Sequence, residues 1–412
     1  MRESSGAAPS AGVRKSAWNG ALADLVRRCR YAQPDELPGV VNACCAAVGV
    51  TVTLYLIDHE QRRLWPVPED GREVPPSLPI DGTPGGRAFT SASTQYTADG
   101  RGNVCLWVPM ADGAERLGLA EVRGRAAPDG LDFLRRHAET AVALLGQVIN
   151  GKMSYGDLFH RTRRTRPMQP SSELLLSLVP PLTFRCRRLT ITATLEPSYE
   201  VGGDAFDYAV HGPDASFMII DSMGRGMQAA LTSAAVLATT RAARRQGLDL
   251  HEAARAADAV LAEQFGNLRF ATGVLGRLDT VTGRLRYLNA GHPAPILIRA
   301  GQAVRTLYQG RRLPLGLSDN PIFIGQEQLR PGDRLLLYTD GVTDPRDREQ
   351  AGTGAAWLAD AARWSFGTGA PAPEALRRLS HTVIRRDGSR KADDATLMVV
   401  EWMPEEGRHE NE

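Results

Sequence analysis

Apolar positions along the first third of the chain change period twice. From Trp18 to Val48 they return at helical spacing, with Leu22, Leu25, Val26 and Cys29 in one run and Leu37, Val40, Val41, Cys44 and Cys45 in the next. That spacing predicts two amphipathic helices. Val52-Thr-Leu-Tyr-Leu-Ile57 then reads as a strand, Asp58 to Arg62 as a polar turn, and Leu64 to Val67 as the returning strand. Val104 to Met110 and Leu117 to Val122 predict two more strands, with Asp112-Gly113 between them as a hairpin signal. A helix is expected from about Asp129 to Val148, with Leu131, Phe133, Leu134, Ala141 and Leu145 on its apolar side. Residues 1–16 are small and polar and read as a disordered tail.

Residues 151–185 read as a connection. Ser171 to Leu178 look helical, with Leu174, Leu175 and Leu178 on one face, and Pro180-Pro181 ends that helix. Two readings stay open: a plain linker, or a helix that packs on the C-terminal half and transmits a signal to it. From Leu189 to Trp402 strands dominate, punctuated by turns and interrupted by helices, and no repeat of fixed period appears. A second tail is expected over 405–412.

Composition narrows the class. Hydrophobic residues make up 42% of the 412, enough for ordinary buried cores. The 49 basic and 47 acidic side chains leave a formal charge of +2. That balance supplies no field for nucleic acid or an anionic membrane. The run Arg161-Thr-Arg-Arg-Thr-Arg166 reads as a solvated face. The five cysteines are odd in number and form no Cys-x-x-Cys pair, which fits a reducing cytoplasm. No secretory h-region and no membrane-length apolar run is visible, so a soluble cytoplasmic protein is expected.

Candidate chemistry lies in four acidic segments. Glu200-Val-Gly-Gly-Asp204-Ala-Phe-Asp207 follows the strand expected at Leu189 to Leu195. Phe217-Met-Ile-Ile-Asp221-Ser222 ends an apolar strand, and Gly224 and Gly226 turn the chain into a helix from Met227 to Arg245. Asp333-Arg-Leu-Leu-Leu-Tyr-Thr-Asp340-Gly341 ends another strand, and Asp393-Asp394-Ala-Thr396 precedes a last one. Singly, each is an ordinary turn. Together they offer hard oxygen donors from separate strand ends, as a pair of divalent cations requires. No His/Cys cluster competes as a softer metal site.

The order of elements over residues 18–150 resembles a GAF domain, a small α/β sensor module. GAF domains often bind small molecules or dimerise. The resemblance therefore implies a small-molecule or protein signal, and a homodimer, as partners to look for; no ligand is assigned. Eight further blocks, in order over residues 175–402, resemble the metal-dependent protein phosphatases of the 2C class in their SpoIIE-like bacterial branch. They are Glu200-Val-Gly-Gly-Asp204, Asp221-Ser-Met-Gly-Arg-Gly226, Arg269-Phe-Ala-Thr272, Leu288-Asn-Ala-Gly-His-Pro293, Leu313-Pro-Leu-Gly-Leu317, Leu329-Arg-Pro-Gly-Asp333, Tyr338-Thr-Asp-Gly-Val-Thr343 and Asp393-Asp-Ala-Thr396.

This second resemblance implies an α+β chain whose catalytic domain, 186–404, is an αββα sandwich of two antiparallel sheets. A GAF-like domain at 17–150 would precede it. It implies two Mn²⁺ or Mg²⁺ ions. Asp221 would bridge them, and the Ser222 carbonyl would complete one site. Asp340 and Asp393, or its neighbour Asp394, would hold the other ion. Asp204 would hold metal-bound water. The catalytic set is then Asp204, Asp221, Asp340 and Asp393, and substrate-binding residues stay unassigned. The usual substrate of the branch is a phosphorylated STAS-domain anti-sigma-factor antagonist, in a stress or developmental switch. Two positions depart from or test the pattern. Met223 stands where animal and plant members carry a His, a candidate leaving-group acid, and His292 reads either as another proton donor or as a structural turn residue bonded to backbone. The segment Arg346 to Gly354 reads either as a flap or as an ordinary loop. The alternative from another class is a dimeric signal-binding scaffold with a weakly active or inactive phosphatase domain. A two-metal nuclease would need a basic groove that Arg241, Arg244 and Arg245 alone do not supply.

Overall fold

A computed structural model of the chain describes residues 11–99, 101–125, 130–196, 199–266, 268–317, 322–343, 354–387 and 394–403. The chain divides into two compact units at residues 165 and 166, inside the stretch expected to connect the domains.

The N-terminal unit opens with α1 (Ala11–Cys29) and α2 (Leu37–Cys45). Ala11 to Ser16, expected as part of a disordered tail, instead form the first turns of α1, and residues 1–10 lie outside the described residues. Ala, Arg and Lys are good helix formers there, and the helix is anchored by buried Trp18, Leu25 and Cys29. Then come β1 (Thr51–Ile57), β2 (Arg63–Pro66), β3 (Leu78–Pro79), α3 (Pro84–Ser91), β4 (Gln95–Ala98), β5 (Asn103–Asp112), β6 (Glu115–Arg125), α4 (Leu131–Met153) and α5 (Asp157–Arg163). The strands form one six-stranded sheet in the order β3-β2-β1-β6-β5-β4, antiparallel throughout.

Both faces of this sheet are covered, which explains the continuous apolar run Leu54 to Ile57 in β1. Its even residues, Val52, Leu54 and Leu56, enter the core beneath α1, α2 and α4. Its odd residues, Tyr55 and Ile57, enter a smaller core with Phe89 of α3. Cys29, Cys44 and Cys45 are buried free thiols. Burial pushes Cys29 and Cys45 up to about 11, so they pack as small inert hydrophobes.

The C-terminal unit runs through α6 (Pro170–Leu178), β7 (Thr183–Arg185), β8 (Leu189–Glu196), β9 (Asp204–His211), β10 (Asp214–Ser222), α7 (Met227–Arg245), α8 (Leu250–Phe265), β11 (Ala271–Asp279) and β12 (Arg284–Ala290). It continues with β13 (Ile296–Arg299), β14 (Gln302–Thr306), β15 (Arg311–Arg312), β16 (Gly325–Gln328), β17 (Arg334–Tyr338), α9 (Gly354–Gly367), α10 (Ala372–Asp387) and β18 (Ala395–Trp402). One sheet has the order β15-β12-β11-β10-β9, with β16 also on β12. The other has the order β14-β13-β17-β18-β8-β7. Side-chain parity shows how they stack. In β18, Met398, Val400 and Trp402 enter the core shared with the first sheet. Ala395, Leu397 and Val399 face α9 and α10.

Helix α6 belongs to this unit. Leu175 is fully buried in its core, with Leu174 and Leu178 packed against it, and Arg241 of α7 donates to the Leu178 carbonyl at 2.6 Å. The expected flap at 346–354 lies outside the described residues except for Gly354, where α9 begins. The expected tail at 405–412 lies outside them entirely. No described helix is long and apolar enough to cross a membrane.

Candidate metal centre

One end of the sandwich gathers the acidic segments. Strands β9 and β10 pair so that Asp204 stands directly opposite Asp221, and Asp221 stands opposite Thr272 of β11 on its other side. Directly opposed residues share a face, with Cβ atoms about 4.5–5.5 Å apart. That face is the inner one, since Phe206 and Tyr208 follow Asp204 with period two and Tyr208 lies against Phe184 of the facing sheet.

Asp204 is buried, at 1% exposure. Its Oδ2 accepts hydrogen bonds from Thr339 Oγ1 and Thr396 Oγ1, both at 2.7 Å. These two hydroxyls come from the second sheet and are themselves tied together. Thr396 N–H donates to Thr339 Oγ1 at 2.9 Å, and Thr339 N–H donates to the Thr396 carbonyl at 3.1 Å. One carboxylate oxygen thus joins the two sheets at their open end. Burial pushes the Asp204 carboxyl well above the usual range. The negative charges of Asp221 and Asp394 push the same way, and the two hydroxyls oppose them.

Asp394 holds the backbone that carries Asp204. Its Oδ2 accepts from Gly202 N–H at 2.7 Å and Gly203 N–H at 2.9 Å. Neither glycine tolerates a side chain. A Cβ at Gly202 would fall 2.7 Å from Gly226 N, and one at Gly203 would fall 2.7 Å from the Ser222 carbonyl and 3.5 Å from Asp221 Oδ1. The Gly-Gly pair therefore lets β9 approach the Asp221–Ser222 strand end. From the helical side, Ser233 of α7 donates to Ser222 Oγ at 2.7 Å and also to the Gly203 carbonyl.

Asp340 opens a single 3₁₀ turn after β17, next to Thr339, and its side chain is exposed. Asp204, Asp221, Ser222, Asp340 and Asp394 therefore meet at one end of the unit. Asp393 lies outside the described residues. Among the described residues no three His, Cys, Asp or Glu side chains form a closed ligand cluster. The donors that do converge are carboxylate, carbonyl and hydroxyl oxygens, which suit Mg²⁺ or Mn²⁺. Charge repulsion at Asp204 is what a bound cation would relieve, so the residues present fit such an ion.

Other acids of the same motifs do not join them. Asp333 is buried in a bidentate pair with Arg299, at 2.7 and 2.6 Å. Asp207 is bound by Arg241 and Arg244. His292 is a structural residue. Its N–H donates to Asn289 Oδ1, its Nδ1 lies 2.8 Å from Thr272 Oγ1, and burial pushes it down to about 3. It is neutral at pH 7 and poorly placed to lend a proton to solvent-exposed chemistry. Thr339, Thr396 and Ser233 had no role in the sequence reading, although both threonines lie inside quoted motifs.

The sequence profile of the family described as Stage II sporulation protein E (SpoIIE) matches residues 212–403. The match begins after Asp204 and includes Asp221, Asp340, Asp393 and Asp394. Protein IcfG of Synechocystis is 26% identical over 240 residues, which is 51% of this chain and 37% of IcfG. Phosphoserine phosphatase RsbP of Bacillus subtilis is 29% identical over 164 residues, or 38% of this chain and 40% of RsbP. The chain thus spans about two-fifths of the length of these relatives. Among solved structures, the RsbU and RsbW domains of Rv1364c from Mycobacterium tuberculosis superpose with a TM-score of 0.47 at 29% identity, covering 55% of this chain and 63% of that one.

Proposed function

We propose that the C-terminal unit, whose residues 212–403 match the SpoIIE family model, is a SpoIIE-type PP2C phosphatase, and that this chain is a divalent-metal-dependent protein serine/threonine phosphatase. Its substrate is a phosphorylated STAS-domain protein in a cytoplasmic sigma-factor switch, and its N-terminal unit is a GAF-like sensor. The observation that carries the phosphatase reading is the electrostatic imbalance at Asp204. This buried carboxylate feels Asp221 and Asp394, both negative, at a strand end open to the exposed Asp340. The phosphoserine class is supported by the name of RsbP; the STAS substrate and the sensor follow from the family resemblance.

Asp221, the Ser222 carbonyl, Asp340, and Asp393 or Asp394 would hold the ions. When bound, a pair of divalent cations supplies a nucleophilic hydroxide near neutral pH and charge to offset the phosphoryl oxygens. The chain's own contribution is placement. Asp394 fixes the Gly202-Gly203 turn, and the threonine clamp fixes Oδ2 of the Asp204 carboxylate, which stands opposite Asp221 in the strand pairing. Helix α6, seated on the catalytic core, is the element through which activity is set. Replacing Leu174 and Leu178 with polar residues should change turnover while leaving metal affinity intact; unchanged turnover would sink that role.

The deciding experiment is phosphate release from a phosphoserine peptide by the full chain, with Mn²⁺, with chelator, and beside Asp340→Asn. Mn²⁺-dependent release that the variant abolishes is the expected result. A folded protein silent on the peptide and on a phosphorylated STAS protein would leave the scaffold reading in its place.

A further inference from the structure

The block Arg269-Phe-Ala-Thr272 contains no acid, yet it lies against the strand end that carries Asp221. Thr272 and Ala271 pair with Asp221 and Ser222 across β11 and β10. Just beyond them, Met223 N–H donates to the Phe270 carbonyl at 3.1 Å. That N–H belongs to the same peptide as the Ser222 carbonyl, and in a trans peptide the two point opposite ways. Because β11 and β9 flank β10 on opposite sides, the bond to Phe270 turns the Ser222 carbonyl toward β9. There it lies 2.7 Å from the place a Gly203 Cβ would occupy. The next peptide is the weak point. Gly224 has φ +91°, in the left-handed region, and a glycine takes either sign of φ readily. Its own backbone therefore does not prevent the Met223–Gly224 peptide from flipping. Arg269, which is half-buried, supplies the restraint. Its Nη1 donates to the Met223 carbonyl at 3.0 Å, and its Nη2 donates to Gln228 Oε1 in the first turn of α7. A Cβ at Gly224 would fall 3.2 Å from Nη1, so the guanidinium lies against the flexible residue itself.

We propose that Arg269 is a positioning residue: by locking the Met223–Gly224 peptide to α7 and to the start of β11, it holds the Ser222 carbonyl in the direction that a divalent cation needs. The inference rests on the reading of Ser222 as a metal ligand and adds the residue that keeps this ligand in place. A carbonyl carries no net charge to draw in a cation, so its value as a ligand depends on where its lone pairs point. A flip of the neighbouring peptide would swing it away. Lys would not replace Arg269 in full, since an ammonium lacks the planar fork that reaches both acceptors at once.

The test measures Mn²⁺ affinity of the full chain directly, from the electron paramagnetic resonance signal of the free ion, beside phosphate release from a phosphoserine peptide. Arg269→Met keeps a long side chain and removes the donors. It should bind Mn²⁺ about tenfold more weakly, the usual cost of losing a residue that orients a ligand, and should need correspondingly more Mn²⁺ for half-maximal release. At saturating Mn²⁺ its KM for the peptide should equal that of the wild type, and without metal it should melt where the wild type does. Arg269→Lys should fall between the two. Unchanged Mn²⁺ affinity in Arg269→Met would overturn the proposal, and a raised KM in its place would assign the guanidinium to phosphoryl binding. A metal-free Met variant that melts well below the wild type, with Arg269→Lys no better, would make Arg269 a residue of the fold and overturn the proposal as well. Mn²⁺ binding that Arg269→Met weakens, with no phosphate release even by the wild type, would remove the phosphatase reading and leave this one standing. Absence of Mn²⁺ binding by the wild type would remove both.

Discussion

Strand β9 carries two buried carboxylates three residues apart, and the protein surrounds them in opposite ways. Odd spacing puts them on opposite faces. Asp207 faces α7, where Arg241 donates Nε and Nη2 to its Oδ1 at 3.0 and 2.8 Å and Arg244 donates Nη1 to its Oδ2 at 2.7 Å. Asp204 faces the second sheet, where it meets two hydroxyls and the charges of Asp221 and Asp394. One carboxylate is neutralised by the chain itself; the other is hydrogen-bonded but left among like charges. Burial alone does not separate a structural acid from a functional one. The sign of the surrounding charge does.

That contrast predicts a double dissociation. Asp207→Asn leaves two guanidinium groups partly buried beside a neutral amide. Breaking such a pair costs about 3–5 kcal/mol when fully buried; Arg241 and Arg244 are 21% and 24% exposed, so about 2–4 kcal/mol is expected here. Urea unfolding of the full chain should show that loss, while kcat on a phosphoserine peptide with saturating Mn²⁺ stays near wild type. A stable but inactive variant would put Asp207 in the site and break the comparison.

Asp204→Asn should do the reverse. The amide oxygen can still accept from Thr339 and Thr396, and a like charge is removed. Stability without metal should therefore hold or rise. Activity should fall about 10–100-fold, as when a residue orienting metal-bound groups is lost. Mn²⁺ should also raise the melting temperature of the variant less than that of the wild type, since only the folded state binds the ion. An undiminished Mn²⁺ shift would detach Asp204 from the metal.

How far the sequence foretold this contrast depends on which residues are asked. Strands and helices with clean periods were legible almost to the residue. The helix expected at Met227 to Arg245 has those bounds, and Leu189 to Leu195 is β8 with one residue added. The segment between β2 and β5 was not read, because α3 and the short strands beside it carry too few residues for a period to emerge. Its one clear signal was Thr83 before Pro84, an N-cap whose hydroxyl accepts from Gly86 N–H at 2.9 Å. Helix α8 likewise announces itself through the capping box Asp249–Glu252. At the site, the family resemblance singled out Asp204, Asp221 and Asp340 and left Asp207 without a role, but motif spacing supplies no physical reason for that difference. That distinction needs the partners, and Arg241, Thr339 and Thr396 are far away in sequence. The threonine clamp was illegible for the same reason, as it exists only once the two sheets stack.

The clamp permits a smaller test of the same end of β9. Thr396→Val keeps the shape and removes one of the two donors to Asp204 Oδ2. A buried acceptor losing a partner costs about 1–3 kcal/mol, and the remaining Thr339 bond places the expected loss near 1 kcal/mol. Thr339→Val should cost slightly more, because its hydroxyl also accepts from Thr396 N–H. Both variants should raise the Mn²⁺ concentration needed for half-maximal activity. Unaltered metal dependence would make the clamp purely structural.

The smallest expected effect concerns two histidines, one in each unit, that the fold holds neutral: His292 is buried and His59 half-buried. His292 is pushed down to about 3 by burial, with the Tyr338 carbonyl pulling weakly the other way. His59 is pushed down to about 3 by burial and by the charges of Arg163, Arg164 and His160. Unfolding restores both to about 6.5. Below that value the unfolded chain binds protons that the folded one refuses, so stability is complete above about pH 6.5 and drains away as pH falls toward 3. Each histidine contributes a slope of about 1.4 kcal/mol per pH unit in that window. His292→Asn should remove one such increment from the C-terminal unit's unfolding curve, and His59→Asn one from the N-terminal unit's, whatever each costs at pH 7. The difference in slope, rather than the absolute stability, is the quantity to compare. A His292 variant with the wild-type slope between pH 6 and pH 4 would mean that the imidazole is protonated in the folded state. In that case the charge balance at the inner face of the sandwich would differ from the one that sets Asp204 apart.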